Sequence, residues 1–103
     1  MPIHNKLVRD KIPEIIENTG KKAYFHVLTE EEYLSELDKK LNEECVEYQV
    51  DKSLEELADM LEVMYAIAEA RGFSIAEFEH MRVEKADKRG GFKDRIFLEK
   101  VDE

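Results

Sequence analysis

Three times in this chain a Ser or Thr is followed three residues later by Glu, just ahead of apolar residues at helical spacing. The pairs are Thr29 and Glu32, Ser53 and Glu56, and Ser74 and Glu77. In that pattern the hydroxyl accepts a hydrogen bond from the backbone N–H of the Glu, and the carboxylate accepts one from the backbone N–H of the hydroxyl residue. The three signals predict helices from Thr29 to about Val50, from Ser53 to near Gly72, and from Ser74 to the glycines at 90 and 91. Only about three residues separate the first two helices, so they are expected to fold back antiparallel as a hairpin.

The flanks carry weaker signals. Residues 1–12 are irregular and basic. Pro13 suits a helix first turn, and Gly20 supplies a left-handed stop after a short helix. The stretch 21–28 is β-rich but isolated, and reads as an extended connector. The tail is expected to return over the helices through Phe92, Ile96, Phe97 and Leu98, and Tyr24, Phe25 and Phe92 are read as core. The expectation is one all-α domain over 1–103: an arm and short helix at 1–28, a helical core at 29–91 and a tail at 92–103.

The second long helix is apolar around most of its circumference. Leu54, Leu57, Leu61, Met64, Tyr65 and Ala68 form one face, widened by Met60, Val63 and Ile67, leaving only Glu55, Glu62 and Glu69 clearly wet. A helix of that kind is buried on more than one side. Three helices cannot easily do that alone, so a homodimer or homotetramer built as a four-helix-type bundle is expected.

Charge narrows the partners. Asp and Glu number 25 against 16 Lys and Arg, a net charge of −9, which argues against a nucleic-acid polymer or an anionic membrane. No apolar run is long enough to span a bilayer and nothing resembles a signal peptide. The single cysteine, Cys45, falls on an apolar helix face and cannot form an intramolecular disulfide. A cytoplasmic protein is expected.

The acids are placed unusually. At about 100° per residue, Glu44 falls within about 20° of Leu37, inside the stripe made by Leu34, Leu37, Leu41, Cys45 and Tyr48. Glu47 lies at the edge of that stripe and Glu43 further round. On the next helix Glu56 and Asp59 are i,i+3 neighbours, about 5–6 Å apart at Cβ. The short turn brings the pair Glu44 and Glu47 toward the pair Glu56 and Asp59. Two carboxylates about 5 Å apart repel by roughly 3 kcal/mol at an effective dielectric near 20, so either some are protonated or a cation neutralises them. Carboxylates without a thiolate or imidazole suit Mg²⁺, or Mn²⁺. The simpler account assigns Glu56 wholly to capping at Ser53, and Glu43 and Glu47 to solvated surface; it accounts least well for Glu44.

These residues also carry a resemblance. "KLNEECVEYQ" followed by "EELADMLEV" resembles the E-E-x-x-E … E-x-x-D signature of the MazG-type all-α nucleoside triphosphate pyrophosphohydrolases. The flanks "NKLVRDKIPEII" and "KRGGFKDRIFLE" resemble the small phosphoribosyl-ATP pyrophosphohydrolase-like branch. The resemblance implies Glu44, Glu47, Glu56 and Asp59 as Mg²⁺ ligands, with Glu43, Glu44 and Glu47 as the catalytic group and Glu43 or Glu47 accepting a proton from the attacking water. It implies cleavage of a nucleotide between its α and β phosphates, giving the monophosphate and pyrophosphate, as in house-cleaning of nucleotide pools. One departure stands out: only eight residues separate Glu47 from Glu56, fewer than in many members, which leaves the number of ions open.

A triphosphate needs cations as well. Arg82, Lys85 and Arg89 share one stripe of the third helix, with Lys88 nearby; Lys85, Arg89 and Lys88 are the expected phosphate contacts, with Lys6, Arg9 and Lys11 ranked behind them. Two other classes compete. A non-catalytic helical module would bind metal and nucleotide without turnover. A di-iron protein would use the Glu77-x-x-His80 spacing, but both residues lie opposite the apolar face of their helix.

Overall fold

The computed structural model describes residues 3–102. It contains four helices, α1 (Ile12–Asn18), α2 (Glu30–Asp51), α3 (Leu54–Ala70) and α4 (Ile75–Arg89), and no strand among the described residues. The chain is all-α, and each long helix begins at its expected hydroxyl residue. Thr29 accepts from the Glu32 amide at 3.2 Å while the Glu32 carboxylate accepts from the Thr29 amide at 3.0 Å. Ser74 and Glu77 close the same ring, at 3.0 and 3.2 Å. At α3 only half of it forms: Ser53 accepts from the Glu56 amide at 3.3 Å, and the Glu56 carboxylate makes no return bond. The expected capping box at α3 is therefore corrected to a one-sided cap.

Lys52 ends α2 in the left-handed region, at φ 59 and ψ 22, with its amide donating to the Tyr48 carbonyl. Ser53 starts α3 directly after it, so two residues join the helices. Ions and side chains pair across the two helices in opposite order. Glu44 of α2 meets Glu56 and Asp59 near the start of α3, whereas Asp38, earlier in α2, pairs with Arg71 just past the end of α3 at 3.5 Å. A left-handed Gly72 (φ 94) follows α3, and the amides of Gly72 and Phe73 return to the Glu69 and Ala68 carbonyls. That turn sets α4 against the later half of α3, where Tyr65 and Phe78 meet edge to face with centroids 5.9 Å apart. The Tyr65 hydroxyl donates to Glu79 at 2.7 Å. The phenol proton is thereby held more tightly, and the same bond, with Arg82, keeps the Glu79 carboxyl low.

Very little of this chain is sealed from solvent. Leu37 is the only buried apolar residue, and Glu44 the only buried polar one, among those described. The radius of gyration is 18.2 Å, with extents of 62 × 32 × 24 Å; a compact chain of this length has a radius near 13 Å. Several expectations are corrected by this openness. Phe92, Ile96, Phe97 and Leu98 do not return over the helices but stand exposed, Phe92 at 97%. Tyr24 and Phe25 are exposed rather than core, and Cys45 is exposed despite its angular position. On α3, Met60, Val63, Met64, Tyr65, Ile67 and Ala68 are half-buried. Leu54, Leu57 and Leu61 remain exposed. The apolar girdle of α3 thus finds cover on one side only. Among the described residues no helix is long and apolar enough to cross a membrane.

Candidate functional site

The site grows from the one acid that α2 buries. Glu44 shares the inward stripe of α2 with Leu37 and Leu41, and packing of that stripe on α3 leaves it 6% exposed. Opposite it, one turn of α3 presents Glu56 and Asp59 on the same side, as i,i+3 spacing requires. One carboxylate oxygen from each of Glu44, Glu56 and Asp59 lies within 4.8 Å of the other two.

Hydrogen bonding leaves this group unsatisfied. Oε2 of Glu44 and Oε2 of Glu56 are both buried and both lack a partner. A buried unpaired carboxylate oxygen is costly, because desolvation is not repaid by a donor. Two cations approach the group. Lys40, one turn before Glu44, brings Nζ to 3.7 Å from Glu44 Oε1 and from Glu43 Oε2. Arg9, from the N-terminal arm, donates through Nη2 to Asp59 Oδ1 at 2.6 Å.

Burial pushes the Glu44 carboxyl above the usual carboxylate range, Glu47 and Asp59 add to the rise, and Lys40 opposes it. Glu56 is raised for the same reasons, desolvation first and Glu47 next. A site that raises two carboxyl groups and orphans two of their oxygens favours an added cation over bare ionisation. Its donor set is all oxygen, with no thiolate or imidazole, which suits a hard divalent ion such as Mg²⁺ or Mn²⁺.

Of the acids expected to act together, Glu44, Glu56 and Asp59 are brought together. Glu47 is exposed and stands outside that tightest group, but it is close enough to raise both Glu44 and Glu56. Glu43 is exposed and pairs with Lys40, and with Asn42, Val46 and Glu47 it lines a shallow depression on α2.

The expected basic partners fare differently. Lys85, Lys88 and Arg89 are exposed on α4, which runs beside α3 and faces α2 across a cleft lined by Leu41, Met64, Ile67, Ala68 and Phe78. Lys88 pairs with Glu84 at 3.0 Å and Arg82 with Glu79 at 2.8 Å. No hydrogen bond or ion pair links the four cations of α4 to the acid group among the described residues. Glu77 is occupied by its cap, and His80 is exposed with Glu84 at 3.6 Å. Neither shares a cluster with other candidate ligands among the described residues.

Two cations at the site carried unequal signals in the sequence. Lys40 could have been found from its i+4 spacing to Glu44. Nothing in local spacing ties Arg9 to Asp59, fifty positions on.

No family model matches this chain, and no solved structure matches it. One stretch of 42 residues, 41% of the chain, is 45% identical to an uncharacterized protein of Mycolicibacterium smegmatis. The match covers 43% of that protein, so the chain spans less than half the length of this relative.

Proposed function

We propose that this chain is a Mg²⁺-dependent nucleotide pyrophosphohydrolase of the MazG-like all-α type, which splits a nucleoside triphosphate into the monophosphate and pyrophosphate. The observation that carries the reading is the pair of buried, unpartnered oxygens on Glu44 and Glu56, beside Asp59. Three carboxylates supplied by α2 and α3 would hold a divalent ion between them, and Mn²⁺ would fit the same donors.

Glu44, Glu56 and Asp59 are the ligands, and Glu47 is the fourth acid within electrostatic reach. Bound Mg²⁺ would offset the charge of a triphosphate and lower the pKa of an attacking water. Glu47, close enough to raise both Glu44 and Glu56, is better placed to accept that proton than Glu43, which pairs with Lys40.

A second copy of the chain completes the protein in this reading. One buried apolar side chain among the described residues is too little for a stable fold of this length. The uncovered Leu54, Leu57 and Leu61 offer an apolar face of the kind that two-fold dimers bury. Assembly is also the route by which Lys85, Lys88 and Arg89 would reach a phosphate. That no hydrogen bond or ion pair joins them to the acids among the described residues is the observation that favours the competing reading, a non-catalytic nucleotide- and metal-binding module.

A panel of nucleoside triphosphates and diphosphates, incubated with Mg²⁺ and resolved for products, separates the two. Pyrophosphate and a monophosphate are expected from at least one triphosphate. Metal uptake with every nucleotide left intact would support the binding module and overturn the enzyme.

A further inference from the structure

Residues 3–28 form an arm whose helix α1 packs on none of the other three helices. Among the described residues a single hydrogen-bonded ion pair ties that arm to the helical core, Arg9 to Asp59. The anchor is one of the three carboxylates that converge with Glu44 and Glu56.

The guanidinium makes one short contact and is otherwise unused. Its side chain is 57% exposed, and a single nitrogen engages a single oxygen. A guanidinium has five N–H donors in a rigid fork, so most of its donor capacity stands open at the rim of the acid group. An ion bound to Asp59 would withdraw the negative charge that holds Arg9. An anion carried by that ion would then lie beside the freed fork, and paired N–H bonds to phosphate oxygens are what a guanidinium makes best.

We propose that Arg9 is a phosphate-positioning residue: it neutralises Asp59 in the ion-free protein and turns to the bound phosphate chain once a divalent cation holds Asp59. This rests on the metal reading of the acid group. The consequence is a coupling of opposite signs. Arg9 competes with a bare cation for Asp59, and it cooperates with a cation that brings phosphate.

Calorimetry on the full chain tests both signs, with Mn²⁺ alone and with Mn²⁺ plus inorganic tripolyphosphate, for the wild type, Arg9→Gln and Arg9→Lys. Arg9→Gln is expected to tighten binding of Mn²⁺ alone severalfold. The same change should weaken binding of the Mn²⁺–tripolyphosphate complex by about tenfold or more, the scale of a charge-assisted hydrogen bond. Arg9→Lys should restore part of each effect, since it keeps the charge and loses the fork. A wild-type chain that binds Mn²⁺ and its tripolyphosphate complex, with Arg9→Gln unchanged or shifted in one direction for both, overturns this inference and leaves the metal reading standing. Binding of Mn²⁺ without any uptake of the complex overturns it as well. A wild-type chain that takes up no Mn²⁺ overturns both together.

Discussion

Ser53–Glu56 and Ser74–Glu77 are the same motif placed at the start of two consecutive helices, and their glutamates end in opposite situations. Glu77 turns back and accepts from the Ser74 amide at 3.2 Å, which completes its cap. Glu56 leaves the Ser53 amide alone and points into the acid group, where one of its oxygens is buried without a partner. The local chemistry is identical, so the difference comes from what lies opposite. α4 starts in the open, whereas α3 starts against the stretch of α2 that carries Glu44. Glu56 forgoes the return bond of its cap for a place beside other acids, a position set by the packing of α2 on α3 rather than by the helix start.

The sharpest way to break this comparison is to neutralise each glutamate in turn. Glu56→Gln, like Glu44→Gln, is expected to lower Mg²⁺-dependent pyrophosphate release by about a hundredfold or more, as loss of a metal ligand does. Glu77→Gln should stay within about threefold of wild type. Equal losses at residues 56 and 77 would reduce both to helix caps.

Stability with the ion present should divide the two in the same way. A cation at about a hundred times its dissociation constant stabilises the folded chain by about 2.7 kcal/mol. Thermal melts with and without Mg²⁺ should show that gain for the wild type and Glu77→Gln, and little of it for Glu56→Gln. In ion-free buffer the order reverses. Ser74→Ala should cost about 1 kcal/mol and Glu77→Gln should also destabilise, while Glu56→Gln should stabilise by relieving crowded negative charge. Denaturant titration of the metal-stripped protein reads those signs directly.

The smallest effect is a slope with pH. Glu44 and Glu56 are held above the usual carboxylate range in the folded chain. Below the unfolded value both are protonated in both states and nothing is lost. As pH rises past it, the unfolded chain releases its protons first, so the ion-free fold loses stability until the raised values are passed, and the loss persists above them. Glu32 and Glu79 are lowered and act with the opposite sign. Their stabilisation is present above the unfolded value and fades as pH falls through the folded one. The wild-type profile minus that of Glu44→Gln isolates the first contribution. It should show ion-free stability falling with rising pH, and a flat difference would contradict the burial of Glu44.

What was legible in the sequence follows the same division. The start of each long helix was written in its hydroxyl residue, because capping is decided within four residues. The burial of Glu44 was legible too, since its angle to Leu37 and Leu41 is fixed by the helical period. The fate of Glu56 was not, because its pattern satisfies a cap and a cluster equally well and only the packing of α2 on α3 chooses. The Arg9–Asp59 pair was hidden for another reason: an irregular arm has no period from which a partner fifty positions away can be read. Phe92, Phe97 and Leu98 misled because apolar character calls for cover without saying where the cover comes from; in a single chain it is absent.

The central claim is that Glu44, Glu56 and Asp59 hold one divalent ion between them. Crystals grown with Mn²⁺ and measured for anomalous scattering test it most directly. An anomalous peak bonded to oxygens of all three residues at about 2.0–2.3 Å, with the Arg9 guanidinium withdrawn from Asp59, is the predicted result. A saturating Mn²⁺ concentration that leaves the three carboxylates without a peak, or places it elsewhere on the chain, would contradict the account.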